Sequence, residues 1–129
     1  MIVFINICVS PPGVTPEQIE SALGLRATRT LRAGEKFVGA MGVVRISEAD
    51  ECRFETRLDK CESFTVALEN FIAERGEGIS RLLGIIQQEL WIQVAIYKDH
   101  DDQRIDVSMT RKTLSFLYEN GVCLDIEIY

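Results

Sequence analysis

A largely apolar run at residues 2–9, IVFINICV, constrains the fold of this chain more than any other feature. Its β-branched residues and the SPPG segment that follows predict a strand buried on both faces. Such a strand requires a sheet and further elements to cover it. The chain has 129 residues, 47% of them hydrophobic, which is enough to build one core. We therefore expect a single domain over residues 1–129.

A short capped helix is predicted directly after this strand. Thr15 occupies the N-cap position, Pro16 the first helical position, and Gln18 is placed to complete a capping box. Gly24 stands where a left-handed residue ends a helix. The apolar residues between these signals recur at helical spacing, so the segment predicts an amphipathic helix.

Strand and helix patterns alternate along the rest of the chain, and the stretch 24–36 favours extended or irregular structure. Because helices join strands at both ends, crossover connections are expected. The pattern predicts an α+β fold, a mostly antiparallel or mixed β-sheet with helices packed on one face as a two-layer sandwich. Strands are predicted at 36–46, 52–59, 90–97 and 122–129, with SEADE at 47–51 as a hairpin tip and a short strand at 104–109; helices are predicted at 64–72 and 79–86, interrupted by RGEGIS, and at 110–121.

Neither a signal peptide nor a membrane-spanning segment is predicted. The N-terminal residues lack a basic region ahead of the apolar run, and no run approaches the roughly 20 apolar residues of a membrane span. We therefore expect a cytoplasmic protein with reduced cysteines. The cysteines are widely spaced, at Cys8, Cys52, Cys61 and Cys123.

The sequence contains no recognisable catalytic apparatus. His100 is the only histidine and falls in a charged turn, where a catalytic nucleophile–histidine pair is not expected. Glycine motifs for phosphate binding are absent. A calcium loop starting at Asp99 would need glycine and glutamate where Arg104 and Thr110 stand. We expect no catalytic residues, no metal site and no cofactor, and hence no enzyme.

Two predicted turns concentrate carboxylates in a chain of formal net charge −6. This acidity argues against direct nucleic-acid binding, which depends on Lys and Arg, and favours a basic protein partner. If both turns lie at the same end of the sheet, they form one acidic patch; otherwise they are solvated loop tips. The candidate partner-binding residues are Glu48, Asp50 and Glu51 in one turn and Asp99, Asp101 and Asp102 in the other.

The stretch 24–36 opposes this acidity with four basic side chains. In one interpretation, Arg26, Arg29 and Arg32 form an anion-binding pocket in which guanidinium groups grip a carboxylate or phosphate. In the other, they pair with surrounding acids and cover the sheet with their aliphatic stems. The charge balance of the chain favours the second interpretation.

Two further stretches are TPEQIESALGLRATRTLRAGE at 15–35 and SMTRKTLSFLYENGVCLDIEIY at 108–129. Together they resemble the domain-of-unknown-function family numbered 4279, through Leu23-Gly24, Thr28-Arg29, Gly34-Glu35 and the closing strand that ends in Tyr129. The resemblance implies a small bacterial α+β domain without established enzymatic activity. Some similar proteins look like immunity partners of polymorphic or contact-dependent toxins.

Two functional hypotheses follow. The first is a cytoplasmic immunity protein that binds and neutralises a cognate toxin domain, for which a basic nuclease is the leading candidate. The second is a sensor of a small ligand or anion, built on Arg26, Arg29 and Arg32. Trp91 would be a natural interface anchor, but its place inside LWIQVAIY favours burial.

Overall fold

The computed structural model describes residues 1–39, 42–100 and 104–129, which contain three helices and seven strands. None of the helices in these ranges is long and apolar enough to cross a membrane. The strands are β1 (Ile2–Val9), β2 (Arg29–Leu31), β3 (Lys36–Val38), β4 (Val44–Ile46), β5 (Glu51–Leu58), β6 (Leu90–Tyr97) and β7 (Val122–Ile128). The helices are α1 (Pro16–Leu23), α2 (Phe64–Ile86) and α3 (Arg111–Asn120).

Five strands form one sheet in the order β2-β5-β1-β6-β7, and β3 pairs with β4 in a separate hairpin. β6 and β7 run parallel, whereas the other neighbours are antiparallel. α3 supplies the crossover that two parallel strands require. Both α1 and α3 pack against α2, and the helices cover the sheet. The predicted α+β fold, with a mixed sheet and helices packed on it, is confirmed.

The core lies between the helices and one face of the sheet. Along β1, Val3, Ile5 and Ile7 are at most 1% exposed, whereas the residues between them are only half-buried. The prediction that this strand is buried on both faces was therefore wrong. The alternation follows from the two-residue period of a strand that has helices on one side.

Helix α1 follows its predicted signals closely. Thr15 accepts a hydrogen bond from the Gln18 backbone, the Gln18 side chain accepts one from the Thr15 backbone, and Gly24 ends the helix in the left-handed conformation. Ile19 and Leu23 are buried beneath it. This element could be located from sequence because its start, end and apolar face are all encoded locally.

Helix α2 runs without interruption through RGEGIS, where a break was predicted. A Cβ at Gly78 would lie 2.4 Å from the carbonyl oxygen of Leu23, and a Cβ at Gly76 would lie 3.1 Å from the Phe116 ring. These glycines therefore mark the places where α1 and α3 approach α2 most closely. They do not end the helix.

A single strand was predicted at 36–46, whereas the described residues of this range form two strands, β3 and β4, which pair antiparallel as a hairpin. Val38 pairs with Val44 and Lys36 with Ile46. Residues 47–50 therefore join β4 to β5 without being the tip of a hairpin between those strands. The short strand predicted at 104–109 is absent from those described residues. Residues 29–31, placed in an extended or irregular stretch, form β2.

Candidate protein-interaction surfaces

The two acidic turns lie at opposite ends of the sheet. Cys52, next to Glu51, pairs with the last residue of β1, whereas Tyr97, two residues before Asp99, pairs with the first. The eight residues of β1 separate the two ends by about 25 Å. The single acidic patch is therefore not formed by the described carboxylates. Asp101 and Asp102 lie outside the described residues.

Two of the described carboxylates are engaged within the chain itself. The N-terminal ammonium of Met1 donates to Asp99 Oδ2 at 2.8 Å, and this hydrogen bond lowers the pKa of Asp99. Asp50 Oδ1 accepts from the Ala33 backbone at 2.9 Å, and its Oδ2 lies 4.0 Å from Arg32. Both carboxylates tie loops to the sheet. Of the remaining two, Glu48 is exposed and Glu51 is half-buried.

The basic stretch contributes internal contacts of the kind that the structural interpretation predicts. Arg32 Nη2 donates to Glu17 Oε1 at 2.5 Å, which lowers the pKa of Glu17 and raises that of Arg32. The guanidinium of Arg29 lies over the Phe37 ring, 5.8 Å from its centroid. Arg26 is exposed. The anion-pocket alternative remains an untested prediction.

A groove of about 480 Å³ lies between the end of β5 and the first turns of α2. Its lining combines apolar side chains, among them Leu58, Val66 and Phe71, with the carboxylates of Asp59, Glu62 and Glu74. Among the described residues, neither Lys nor Arg lines this groove, so its chemistry does not suit an anion. The three arginines of the sensor hypothesis lie elsewhere.

The β3–β4 hairpin exposes an apolar face that the sequence analysis did not identify. Val38 is 65% exposed, Val44 63% and Ile46 60%. Cross-strand pairing places Val38 beside Val44 and Lys36 beside Ile46, and residues two apart along a strand lie on the same side, so the exposed Lys36 shares this side with the three apolar residues. We call these three residues the apolar hairpin face.

The opposite side of the hairpin is anchored to the domain. Phe37, which pairs with Arg45, lies on that side and contacts the Arg29 guanidinium. The neck is closed by two backbone hydrogen bonds of 2.8 Å, from Gly34 to Ser47 and from Ser47 to Glu35. Glu48 follows Ser47 directly, so the first acidic turn adjoins this neck. The hairpin is thus an appendage with one attached side and one free side, on which Lys36 accompanies the three apolar residues.

The sheet surface away from the helices is a second exposed surface, which we call the open face. It carries an aromatic group in which Phe4 meets Tyr97 edge-on at 5.7 Å and Tyr97 stacks on Tyr129 at 5.0 Å. Arg57 lies over the Phe4 ring at 5.4 Å. Trp91 is on the same face and is 47% exposed, so the expectation of its burial was wrong. The apolar run around it alternates, and the helices cover only the other side.

A small cleft of about 210 Å³ lies within the open face. The carboxamide oxygen of Asn6 is buried there and, in the parts of the chain that the structure describes, has no hydrogen-bond partner. A buried polar atom is usually hydrogen-bonded to protein or to an ordered water molecule, because leaving it without a partner costs about 1–3 kcal/mol. The cleft is lined by Asn6, Arg53, Gln93, Val94, Ala95, Asp125 and Glu127.

The described residues contain no cluster of three or more His, Cys, Asp or Glu side chains arranged to hold a metal ion. The four cysteines are free, and burial raises the pKa of the Cys52 thiol. Comparison with known protein families, with curated proteins and with solved structures finds no match for this chain.

Proposed function

We propose that this protein is a cytoplasmic immunity protein, a non-catalytic inhibitor that binds and neutralises the toxin domain of a bacterial polymorphic or contact-dependent toxin system. A basic nuclease domain is the leading candidate for the partner. We also propose membership of the domain-of-unknown-function family numbered 4279, on the resemblance of residues 15–35 and 108–129. The observation that carries the functional proposal is the apolar hairpin face.

Three side chains at least 60% exposed on one side of a hairpin favour a protein partner. Exposure of Val38, Val44 and Ile46 does not stabilise the free protein. A partner that covers them removes their apolar surface from water, which lowers the free energy of the complex. The energy of an interface is concentrated in a few central residues with a polar rim around them.

The adjoining acidic turn provides part of that rim. Glu48 is exposed beside the hairpin neck, and Glu51 opens the next strand. Carboxylates at a rim accelerate association with a basic surface, and this acceleration decreases as salt is added. This arrangement replaces the single patch of six carboxylates, since Asp99 lies at the far end of the sheet. Asp101 and Asp102 remain candidates outside the described residues.

Rescue from toxicity tests the proposal directly. The toxin tested is the C-terminal domain encoded by the reading frame immediately upstream of this gene, expressed with or without this protein. The wild-type protein is expected to restore growth, and the double variant Val44→Asp/Ile46→Asp to lose protection because two charges are placed at the centre of the interface. Calorimetry with the purified, catalytically inactivated toxin domain is expected to show at least a hundredfold weaker binding.

Leu114→Asp is the matched control. Leu114 is 51% exposed on α3, far along the chain from the hairpin, so a charge there tests for non-specific loss of solubility. It should protect as well as the wild type. Full protection by the Val44→Asp/Ile46→Asp protein would contradict the hairpin assignment. Absence of any binding between the wild-type protein and that toxin domain would contradict the immunity function with this partner.

A further inference from the structure

The open face has a regular arrangement of side chains across its strands. In one row, register pairs place Arg57, Phe4, Ala95 and Glu127 side by side on β5, β1, β6 and β7. This row begins with a cation, ends with an anion and has one large and one small side chain at its centre. The row therefore runs from a positive charge at β5 to a negative charge at β7.

The adjacent row has an amide pair at its centre. It consists of Glu55, Asn6, Gln93 and Asp125 on the same four strands. Asn6 carries the buried carboxamide oxygen that lacks a partner, and Gln93 lines the same cleft. The outer ends of this row are both acidic, and Arg53 lines the cleft that Asp125 also lines, which places a cation within the face.

We propose that the open face binds a second copy of this chain, as a two-fold symmetric dimer whose axis runs parallel to the strands between β1 and β6. Such an axis places each row of one protomer opposite the same row of the other protomer, with the order of the strands reversed. Arg57 of one protomer then faces Glu127 of the other, and Phe4 faces the small Ala95. In this row charge and size are complementary in both halves, because a two-fold interface repeats each contact. In the adjacent row the axis places Glu55 opposite Asp125, and Arg53 and Arg57 flank Glu55 on the same face of β5.

The same axis places Gln93 of the second copy opposite Asn6, so the two amide side chains at the centre of this row meet across the interface. The same reversal places Tyr97, which is 44% exposed, opposite Ile2 of the second copy, and so covers part of the aromatic group at the end of the face. Tyr129 donates its hydroxyl hydrogen to Glu127 and so orients that carboxylate.

Face-to-face packing of two sheets tolerates this register. Aligned sheets cross at about 30°, and β5 lies about 7 Å from the proposed axis. The crossing therefore displaces facing residues by about 4 Å, less than the roughly 7 Å between successive residues on one face. The long side chain of Arg57 covers a displacement of this size.

Sedimentation velocity from low micromolar to several hundred micromolar protein tests the dimer. The wild-type protein is expected to shift from monomer to dimer as concentration rises. Trp91 is the only tryptophan and lies on the open face, so its fluorescence emission should move to shorter wavelength in parallel. A sedimentation shift without an emission shift would place the contact elsewhere and contradict the proposal.

Charge reversal identifies the pair of residues that meet. Arg57→Glu and Glu127→Arg should each raise the dimer Kd at least about tenfold, since each change is made twice per dimer. The double variant Arg57→Glu/Glu127→Arg restores opposite charges and is expected to recover most of the lost affinity. Arg111→Glu, an exposed change of the same sign on the helix layer, is the matched control and should leave the Kd unchanged.

Far-UV circular dichroism and thermal unfolding distinguish a folded variant that has lost the dimer contact from a variant that no longer folds. A monomeric wild type throughout the concentration range, or single variants that dimerise as well as the wild type, would overturn the proposal. It does not depend on the proposed immunity function, because the open face and the apolar hairpin face are different surfaces. Monomeric Arg57→Glu protein is expected to protect cells as well as the wild type.

Discussion

Gly78 illustrates how the absence of a side chain sets the distance between two helices. Its backbone faces the carbonyl oxygen of Leu23 at the end of α1, and an added Cβ would stand 2.4 Å from that oxygen. The neighbour is backbone, which cannot rotate away as a flexible side chain would. The packing of α1 on α2 therefore depends on glycine at this position.

Gly78→Ala is expected to lower the free energy of unfolding by about 2–3 kcal/mol, because α1 must move away from α2. Gly84→Ala, in the same helix, is the control: a Cβ there meets nothing within 4 Å. This second change should stabilise the protein by about 0.5–1 kcal/mol through helix propensity. Urea denaturation measures both. Equal effects of the two substitutions would contradict the close approach.

The ion pair between Glu17 and Arg32 predicts a specific pH dependence. Arg32 lowers the pKa of Glu17 from its ordinary value of 4.5, so the native state favours the ionised carboxylate. The resulting stabilisation is fully present above the ordinary pKa and is lost as pH falls through the lowered one. Both groups are exposed, so the effect is small and sensitive to salt.

Glu17→Gln should lower Tm slightly at pH 7, and its difference from wild type should vanish in acid once Glu17 is protonated in both states. Glu119→Gln, an exposed change on α3, provides the comparison and should show no such pH-dependent difference. Thermal unfolding followed by circular dichroism across this pH range is the measurement. A Tm difference between Glu17→Gln and wild type that persists unchanged at low pH would exclude the ion pair as its source.

At the scale of elements, the hairpin behaves as an attachment to the sheet. β3 and β4 pair only with each other within the described strands, and the neck is closed where Ser47 donates to the carbonyl oxygen of Glu35 at 2.8 Å. A two-residue turn can span this neck, because such turns join a residue to its partner three positions later. The sheet does not require the hairpin for its own strand pairing.

Replacing residues 36–46 by Asn-Gly is therefore expected to leave a cooperatively folded domain that no longer binds the toxin domain. The helix and strand signal in circular dichroism and a single unfolding transition report on the fold. Loss of that transition would show that Phe37 and its contact with Arg29 belong to the structural core instead. Retention of full toxin binding would contradict the role given to the apolar hairpin face.

At the scale of the whole molecule, all three described helices cover one side of the sheet. This asymmetry leaves the open face with aromatic and charged side chains and with the unpartnered oxygen of Asn6. A sheet with one covered face is normal when its other face is polar. Here the second face is partly apolar, which favours a partner. The hairpin lies beside β2 at one edge of the sheet. The apolar hairpin face and the open face are therefore separate surfaces that can contact different partners.

Local signals in the sequence determined much of the architecture. Residues close together in the sequence encode the caps of α1, the alternation in β5 and the crossover before β7. The α+β class and most element positions could therefore be predicted. The glycines of α2 were misread because a helix break and a close helix–helix contact have the same local composition. Only the packing of α1 and α3 distinguishes them.

Pairing between distant segments was decided by the tertiary structure alone. The sequence predicts one acidic turn that contains Glu51 and another that contains Asp99. Strand order and direction place these two turns at opposite ends of β1. The same long-range pairing assembles Arg57, Phe4, Ala95 and Glu127 into one row from four separate strands. Local chemistry fixes what each segment becomes, whereas the geometry of the sheet fixes which side chains meet, because neighbours across strands are far apart along the chain.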